Sequence, residues 1–202
     1  MKLILIRHGY TKENFEKRYI GKTDVSICPE GRDQLVNYAE KGMYPKVDLL
    51  FSGPMKRCLE TKEVLYPTMD VKIIPELTEM DFGEFECKNF ADLRNNKDYQ
   101  RFIDSNGEEA FPGGESKDDF IKRNQKGFLN LIKSIQSKDI SKIETVGLIC
   151  HGGNIMAILS NNFECGYYDY QCKPGQGYIV TLCPLDGFSI TDIEPLFLAM
   201  EK

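Results

Sequence analysis

No apolar stretch in the 202 residues approaches the ~20 needed to cross a bilayer, and no apolar run has signal-peptide flanks. A C-x-x-C pair is missing as well. The seven cysteines are scattered and odd in number, which reads as reduced thiols in a cytoplasmic protein. Nor is there a basic excess: the formal charge of −5 argues against nucleic acid or an anionic membrane as the main partner. A small anion stays admissible where a site makes its own positive field. Neither G-x-x-x-x-G-K-[ST] nor G-x-G-x-x-G after a strand occurs, so nucleotide binding of those kinds is unsupported. No cysteine has arginine six positions on, so the cysteine-phosphatase loop is absent. There are no internal repeats and no low-complexity segments, and histidine occurs only at positions 8 and 151.

What is present is the pattern of a globular α/β chain, 41% hydrophobic and 28% charged, long enough for one large domain with a real core. Four apolar runs, Leu3–Ile6, Val47–Phe51, Val71–Ile74 and Val146–Cys150, read as buried parallel strands, each followed by helical periodicity. In "SGPMKRCLETKEVL" the proline suits a first helical turn. Ser116 with Asp119 reads as the N-cap of a long helix with Ile121, Phe128, Leu131, Ile132 and Ile135 as its buried stripe. Residues 86–115 turn polar and read as a helical lid or cap inserted into a single domain spanning 1–202. Its Phe90, Tyr99, Phe102 and Phe111 either contact an organic group or form the cap's own small core. Near the end, two strands are expected to join around Asp186 and Gly187. The fold expected is a three-layer α/β/α with a mostly parallel central sheet.

In open parallel sheets ligands bind at the carboxyl ends of the strands. His8 follows the first strand and His151 the fourth, each with glycine after it; Arg57 lies in the first turns of the helix after the second, and Glu79 in the loop after the third. Singly, each is as well explained as a surface charge, a loop acid or a core histidine. Together with Arg7 they form a set that converges on one site. Arginine beside histidine repels a divalent cation, whereas guanidinium forks match phosphate oxygens. Glycines let backbone N–H groups approach an anion, and a helix N-terminus at Gly152–Asn154 adds its dipole. The set reads as a phosphate pocket with a histidine nucleophile. His8 attacks phosphorus, while Arg7, Arg57 and His151 as imidazolium hold the equatorial oxygens. Glu79 protonates the leaving alkoxide and then activates water.

At these residues the sequence resembles the histidine phosphatase superfamily, with its phosphoglycerate-mutase-like fold, over essentially the whole chain. "RHGYTKEN" looks like R-H-G-x-T-x-x-N, mapping Arg7, His8, Gly9, Thr11 and Asn14. "YIGKTDVSICPEGRDQ" is similar to the next segment, with Gly21 matching a glycine whose backbone faces the phosphate. "FSGPMKRCLET", "LTEMDFGEFE" and "ICHGGN" map Arg57, Glu79, His151 and Gly152. The resemblance implies a phosphohistidine at His8, phosphate contacts from Arg7, Asn14, Gly21, Arg57, His151 and Gly152, and no metal or other cofactor. It leans toward the phosphatases: residues 86–115 hold two arginines, Arg94 and Arg101, but no adjacent pair of the kind the glycolytic mutases carry. Within that branch the sequence is most similar to α-ribazole-phosphate phosphatases of cobalamin synthesis, departing at Phe85, where tryptophan is usual, and Cys87, where glycine is usual. The expected activity is hydrolysis of a small phosphorylated metabolite. A phosphoglycerate-type phosphomutase and a non-catalytic phosphate-binding module are the alternatives. No feature of the sequence marks an interface between copies of the chain.

Overall fold

Strand β1 (Lys2–Arg7) has four consecutive buried apolar residues. They sort alternately onto two faces, as a period of two requires. Leu3 and Leu5 join one apolar cluster, Ile4 and Ile6 another. A strand buried on both sides needs a helical layer on each. The computed structural model, which describes residues 1–105, 107–163, 166–183 and 188–197, supplies both. Leu131, Ile132 and Ile135 of α6 (Lys117–Gln136) and Ile155, Ile158 and Leu159 of α7 (Gly152–Ser160) cover the first face. Cys58 of α3 (Lys56–Leu65) packs on the second, and α2 (Pro29–Glu40) lies against α3.

The sheet has six strands in the order β3 (Lys72–Ile73), β2 (Leu49–Ser52), β4 (Thr145–Cys150), β1, β5 (Gly177–Cys183), β6 (Ser189–Pro195). The first four are parallel, while β5 runs antiparallel to β1 and β6 antiparallel to β5. This is the expected three-layer arrangement with a mostly parallel sheet. The register decides what matters for function: Arg7 pairs with Cys150 and Ser52 with Ile149. The residues that follow these strands, His8, His151 and Gly53, therefore emerge side by side.

Between β3 and α6 the chain forms two short helices, α4 (Phe90–Leu93) and α5 (Lys97–Asp104). Leu93, Tyr99, Phe102 and Phe111 gather around the fully buried Phe85 and Phe120 in a third apolar cluster, separate from the sheet's two. Phe85 occupies the position where tryptophan is usual, and its edge-on contacts with Tyr99 and Phe111 show a phenyl ring filling that space. Phe90, in contrast, is 68% exposed.

Several local expectations are corrected. Met55 is the N-cap of α3, so Pro54 precedes the helix instead of sitting in its first turn. The buried stripe of α6 runs Phe120, Asn124, Gly127, Leu131, Ile132, Ile135, so Leu131, Ile132 and Ile135 are buried as expected while Ile121 and Phe128 are only half-buried. The stripe turns there because Asn124 faces a buried polar network described below. Val47 and Val71 pack in the core but lie outside the strands, which are shorter than their apolar runs. Ser116 does accept the Asp119 N–H as an N-cap. The expected turn at Asp186 and Gly187 lies outside the described residues, although β5 and β6 pair as foreseen. Among the described residues Cys28, Cys58, Cys87, Cys150, Cys172 and Cys183 are free thiols, and no helix is long and apolar enough to cross a membrane.

Candidate active site

At the carboxyl end of β1, the His8 ring is buried and its Nδ1 lies 2.8 Å from the Gly9 carbonyl oxygen. A carbonyl only accepts, so Nδ1 carries the proton and Nε2 keeps its lone pair. Burial, with the Arg57 and Arg7 guanidinium groups nearby, holds the His8 pKa well below that of a free imidazole. The ring is thus a neutral base with one free nitrogen. Gly9, next along, donates its N–H to Thr61 Oγ1, which itself bonds the Arg57 carbonyl. A side chain at Gly9 would run into Leu35 at 2.7 Å.

Arg57 is 1% exposed. Its guanidinium is held at three points: Nη1 on the Thr23 carbonyl, Nη2 on the Gly21 carbonyl, and Nε on Nδ1 of His151 at 3.2 Å. Arg7 gives Nη1 to the Cys172 carbonyl at 2.7 Å, while its buried Nε has no hydrogen-bond partner among the described residues. Neither arginine has a carboxylate within ion-pair distance among the described residues. Two guanidinium groups without a carboxylate partner among the described residues, one with a buried N–H that meets no acceptor there, give the site a positive field.

His151 caps α7 and lies edge-on to His8, with ring centroids 5.2 Å apart. Since Arg57 Nε donates to Nδ1, that nitrogen is an acceptor and the proton sits on Nε2, 3.5 Å from Cys58 Sγ. Complete burial, then Arg57, His8 and Arg7, push its pKa well below the ordinary value. The expectation of an imidazolium at His151 is therefore corrected: the fold keeps this ring neutral, a donor through Nε2–H.

Glu79 is fixed by two backbone donors, Met80 N–H to Oε1 at 2.9 Å and Gly153 N–H to Oε2 at 3.2 Å. Its loop is held by Arg123 of α6, which bonds the Glu76, Thr78 and Glu79 carbonyls and pairs with Glu115. Asn154 completes the frame: its Oδ1 takes the His151 N–H, and its Nδ2 bonds the Thr78 carbonyl and Asn124 Oδ1.

Arg7, His8, Arg57 and Glu79 open onto two adjoining cavities, whereas His151, expected to touch the phosphate, lines neither and instead braces Arg57. One of about 120 Å³ is lined by Arg7, His8, Asn14, Arg57 and Glu79, joined by Arg18, Tyr19 and Phe82. Asn14 has its Oδ1 taken by the Thr11 N–H, which turns its amide NH2 into the end available to a ligand. The second, about 350 Å³, shares Arg7 and Glu79 and runs under the cap between Phe82, Phe102, Phe111 and Tyr167. Of the four cap aromatics named from the sequence, Phe102 and Phe111 reach this cavity, Tyr99 is cap core, and Phe90 is exposed.

Residues 3–178 match the Histidine phosphatase superfamily (branch 1). The chain belongs to that superfamily. It is 30% identical over 134 residues to the adenosylcobalamin/alpha-ribazole phosphatase of Escherichia coli strain K12, covering 61% of this chain and 66% of that one. Its fold superposes on the alpha-ribazole phosphatase of Shigella flexneri with a TM-score of 0.80 at 21% identity, covering both chains in full. A phosphoserine phosphatase from Entamoeba histolytica, solved with 3-phosphoglyceric acid, matches with a TM-score of 0.73 and 27% identity over 95% of each chain.

Against this superfamily background, the site brings Arg7, His8, Asn14, Arg57, Glu79 and His151 together. Gly152 lies against the Arg7 guanidinium, where a Cβ would approach Cζ to 3.3 Å. Gly21 is not brought to the cavity in the expected way. Its N–H is taken by Glu86 Oε1 and its carbonyl by Arg57, so it holds the arginine in place. Gly153, Asn154, Glu86 and Arg123 were missed as site residues. The first two stand inside the quoted "HGGN" and the third ends "GEFE"; Arg123 had no signal, since most of its partners belong to a loop more than 40 residues away that meets it only in the folded chain.

Proposed function

We propose that the protein is a phosphomonoesterase that forms a phosphohistidine on His8 and needs no metal. The observation that carries this reading is the bond from His8 Nδ1–H to the Gly9 carbonyl, which leaves Nε2 unprotonated beside two guanidinium groups without a carboxylate partner among the described residues. A phosphate ester bound there meets Arg7 and Arg57 on its non-bridging oxygens, with His151 Nδ1 bracing the Arg57 guanidinium and Asn14 and the N-terminus of α7 at the ester's edge. As the Nε2–P bond forms, the P–O bond to the alcohol breaks, and Glu79 delivers the proton the alkoxide takes up. Glu79 then removes a proton from water, whose oxygen attacks phosphorus and frees His8 with release of inorganic phosphate. The alcohol leaves past Glu79 into the cap cavity, so residues 86–115 act as the cap of one domain.

The aromatic lining of that cavity, together with the names of the relatives, favours a substrate with a flat ring. α-Ribazole phosphate is the first candidate. The test is release of phosphate from 4-nitrophenyl phosphate and from a panel holding α-ribazole phosphate, phosphoserine, 3-phosphoglycerate and sugar phosphates, with and without chelator. Turnover unaffected by chelator and lost in His8→Ala is expected. Full activity in His8→Ala would sink the reading, and transfer of phosphate between hydroxyls without its release would replace it with a mutase.

A further inference from the structure

The Glu79 carboxylate meets two backbone N–H groups and, among the described residues, no side chain. An acid so placed is aimed only as well as the loop that carries it. Between β3 and Gly83 that loop forms no helix or strand, so its carbonyl groups need partners from elsewhere. Arg123 supplies them. Its Nη1 donates to the Glu76 carbonyl at 2.6 Å, to Thr78 Oγ1 at 2.7 Å and to the Thr78 carbonyl at 3.1 Å, and its Nη2 to the Glu79 carbonyl at 3.2 Å.

The other edge of the same guanidinium faces the cap. Nε and Nη2 make a two-point pair with the Glu115 carboxylate at 2.9 and 2.8 Å, and the group lies over the Phe120 ring, 5.1 Å from its centroid. Only a planar fork serves both sides at once; a lysine ammonium reaches the carbonyls or the carboxylate, not the two together. Glu115 ends the loop of residues 111–115, whose Phe111 packs edge-on to Phe82 in the wall of the cap cavity. That loop runs backbone to backbone with the continuation of Glu79's own. Glu115 N–H bonds the Asp81 carbonyl at 2.9 Å, and Glu84 N–H the Pro112 carbonyl at 2.8 Å. A Cβ at Gly83 would lie 2.2 Å from the Pro112 carbonyl oxygen, and one at Gly114 2.4 Å from that of Asp81. The two loops therefore move as one body, with Arg123 as their anchor on α6.

We infer that Arg123 is a positioning residue for the proton-transfer step. It sets the Glu79 carboxylate against the cap wall, so that an alcohol seated on Phe82 and Phe111 presents its oxygen to the acid. Arg123 itself lines neither cavity. The inference deepens the phosphatase reading and rests on it in taking Glu79 as the proton donor.

The test compares kcat/KM, which reports the steps up to departure of the alcohol, for 2-phenylethyl phosphate and 4-nitrophenyl phosphate. Both carry a ring, but only the first leaves as an alkoxide that needs a proton. Arg123→Lys is expected to lose about 30-fold on the first ester and under about threefold on the second. In a Glu79→Gln background the same change is expected to cost under about twofold on either, because the group it aims is already gone. Arg7, His8, Arg57 and Asn14 of α1 (Lys12–Phe15) make no bond to Arg123 among the described residues, so inhibition by inorganic phosphate is expected to stay within about twofold. Where Arg123→Lys does not fold, Glu115→Gln, which loosens the clasp from the cap side, is expected to show the same selectivity at about fivefold. Equal losses on the two esters, losses that add in the double variant, or weakened inhibition by phosphate would each show a merely structural arginine and overturn the assignment. Those outcomes beside a selective loss in Glu79→Gln would leave the phosphatase reading standing. An unselective loss in Glu79→Gln, or a parent protein that cleaves neither ester, would overturn that reading and the role of Arg123 with it.

Discussion

A single methyl group at Gly153 separates the demands of the fold from those of the chemistry. A Cβ built there lies 2.2 Å from Glu79 Oε1 and 3.0 Å from Phe120 Cζ, against 3.4 Å for ordinary contact. The carboxylate must retreat by about an ångström, which stretches the bond it accepts from the Gly153 N–H at 3.2 Å. Glu79 is the far end of a flexible side chain, so the retreat is cheap in stability, and alanine in place of a helical glycine adds up to about 1 kcal/mol of helix propensity. Gly153→Ala is therefore expected to melt within a few degrees of the parent. Catalysis is less forgiving, since an ångström of misplacement costs about 10²-fold and loss of a positioned proton donor about 10²–10⁴-fold. The loss falls where the proton is needed. For an alkyl phosphate, kcat/KM is expected to drop about 100-fold. With 4-nitrophenyl phosphate, whose leaving group departs as a stable anion, the drop is expected to be under about tenfold. Equal losses on the two esters in a normally folded variant would refute the assignment of Glu79 as the proton donor.

Other perturbations follow from the same geometry. Cys87 has φ of +62°, so Cys87→Gly removes a left-handed cost of about 1–2 kcal/mol, partly offset by glycine's freer unfolded chain. A melting temperature about 2–4 °C higher is expected, and a lower one would show that the weak Sγ contact to Thr23 at 3.5 Å matters more. Both histidine pKa values are depressed in the folded state, so the unfolded chain binds more protons below pH ~6.5. Stability is expected to fall as pH drops from about 7 toward the depressed values, and urea midpoints should show a shallower fall in His8→Asn. Arg57→Met leaves the Thr23 and Gly21 carbonyls without their buried donor, and about 2–4 kcal/mol of destabilisation is expected from urea unfolding. An unfolding free energy within 1 kcal/mol of the parent would mean that water replaces the guanidinium there.

The alternation of apolar runs with helical segments made the sheet readable, because strands buried on both faces have to be continuously apolar. His8, His151, Arg57 and Glu79 were readable for a related reason: a parallel sheet delivers whatever follows its strands to one edge. Charge state was not readable. His151 was expected as a cation, and only the bond from Arg57 Nε to its Nδ1 shows which nitrogen is an acceptor. The same limit explains Gly21, whose N–H goes to Glu86 because the two loops meet only in the folded chain. Asn124 interrupts the apolar stripe of α6. Its partner, Asn154, lies 30 residues away, and no periodicity reports such a pairing.

The strand that leads into His8 is synthesised well before its neighbours in the sheet, β4 and β5, which begin at Thr145 and Gly177. At roughly 5–20 residues per second the nascent strand waits about 7–30 s for the first of these neighbours. During that interval four consecutive apolar residues, Leu3–Ile6, stand without sheet partners, an exposed edge of the kind that recruits chaperones or foreign strands. The Gly175 and Gln176 bonds to Arg7 and His8 form later still. Catalytic competence is thus a late event in the life of each chain, and a polypeptide released before residue 175 would carry every proposed catalytic side chain without the clasp that sets them.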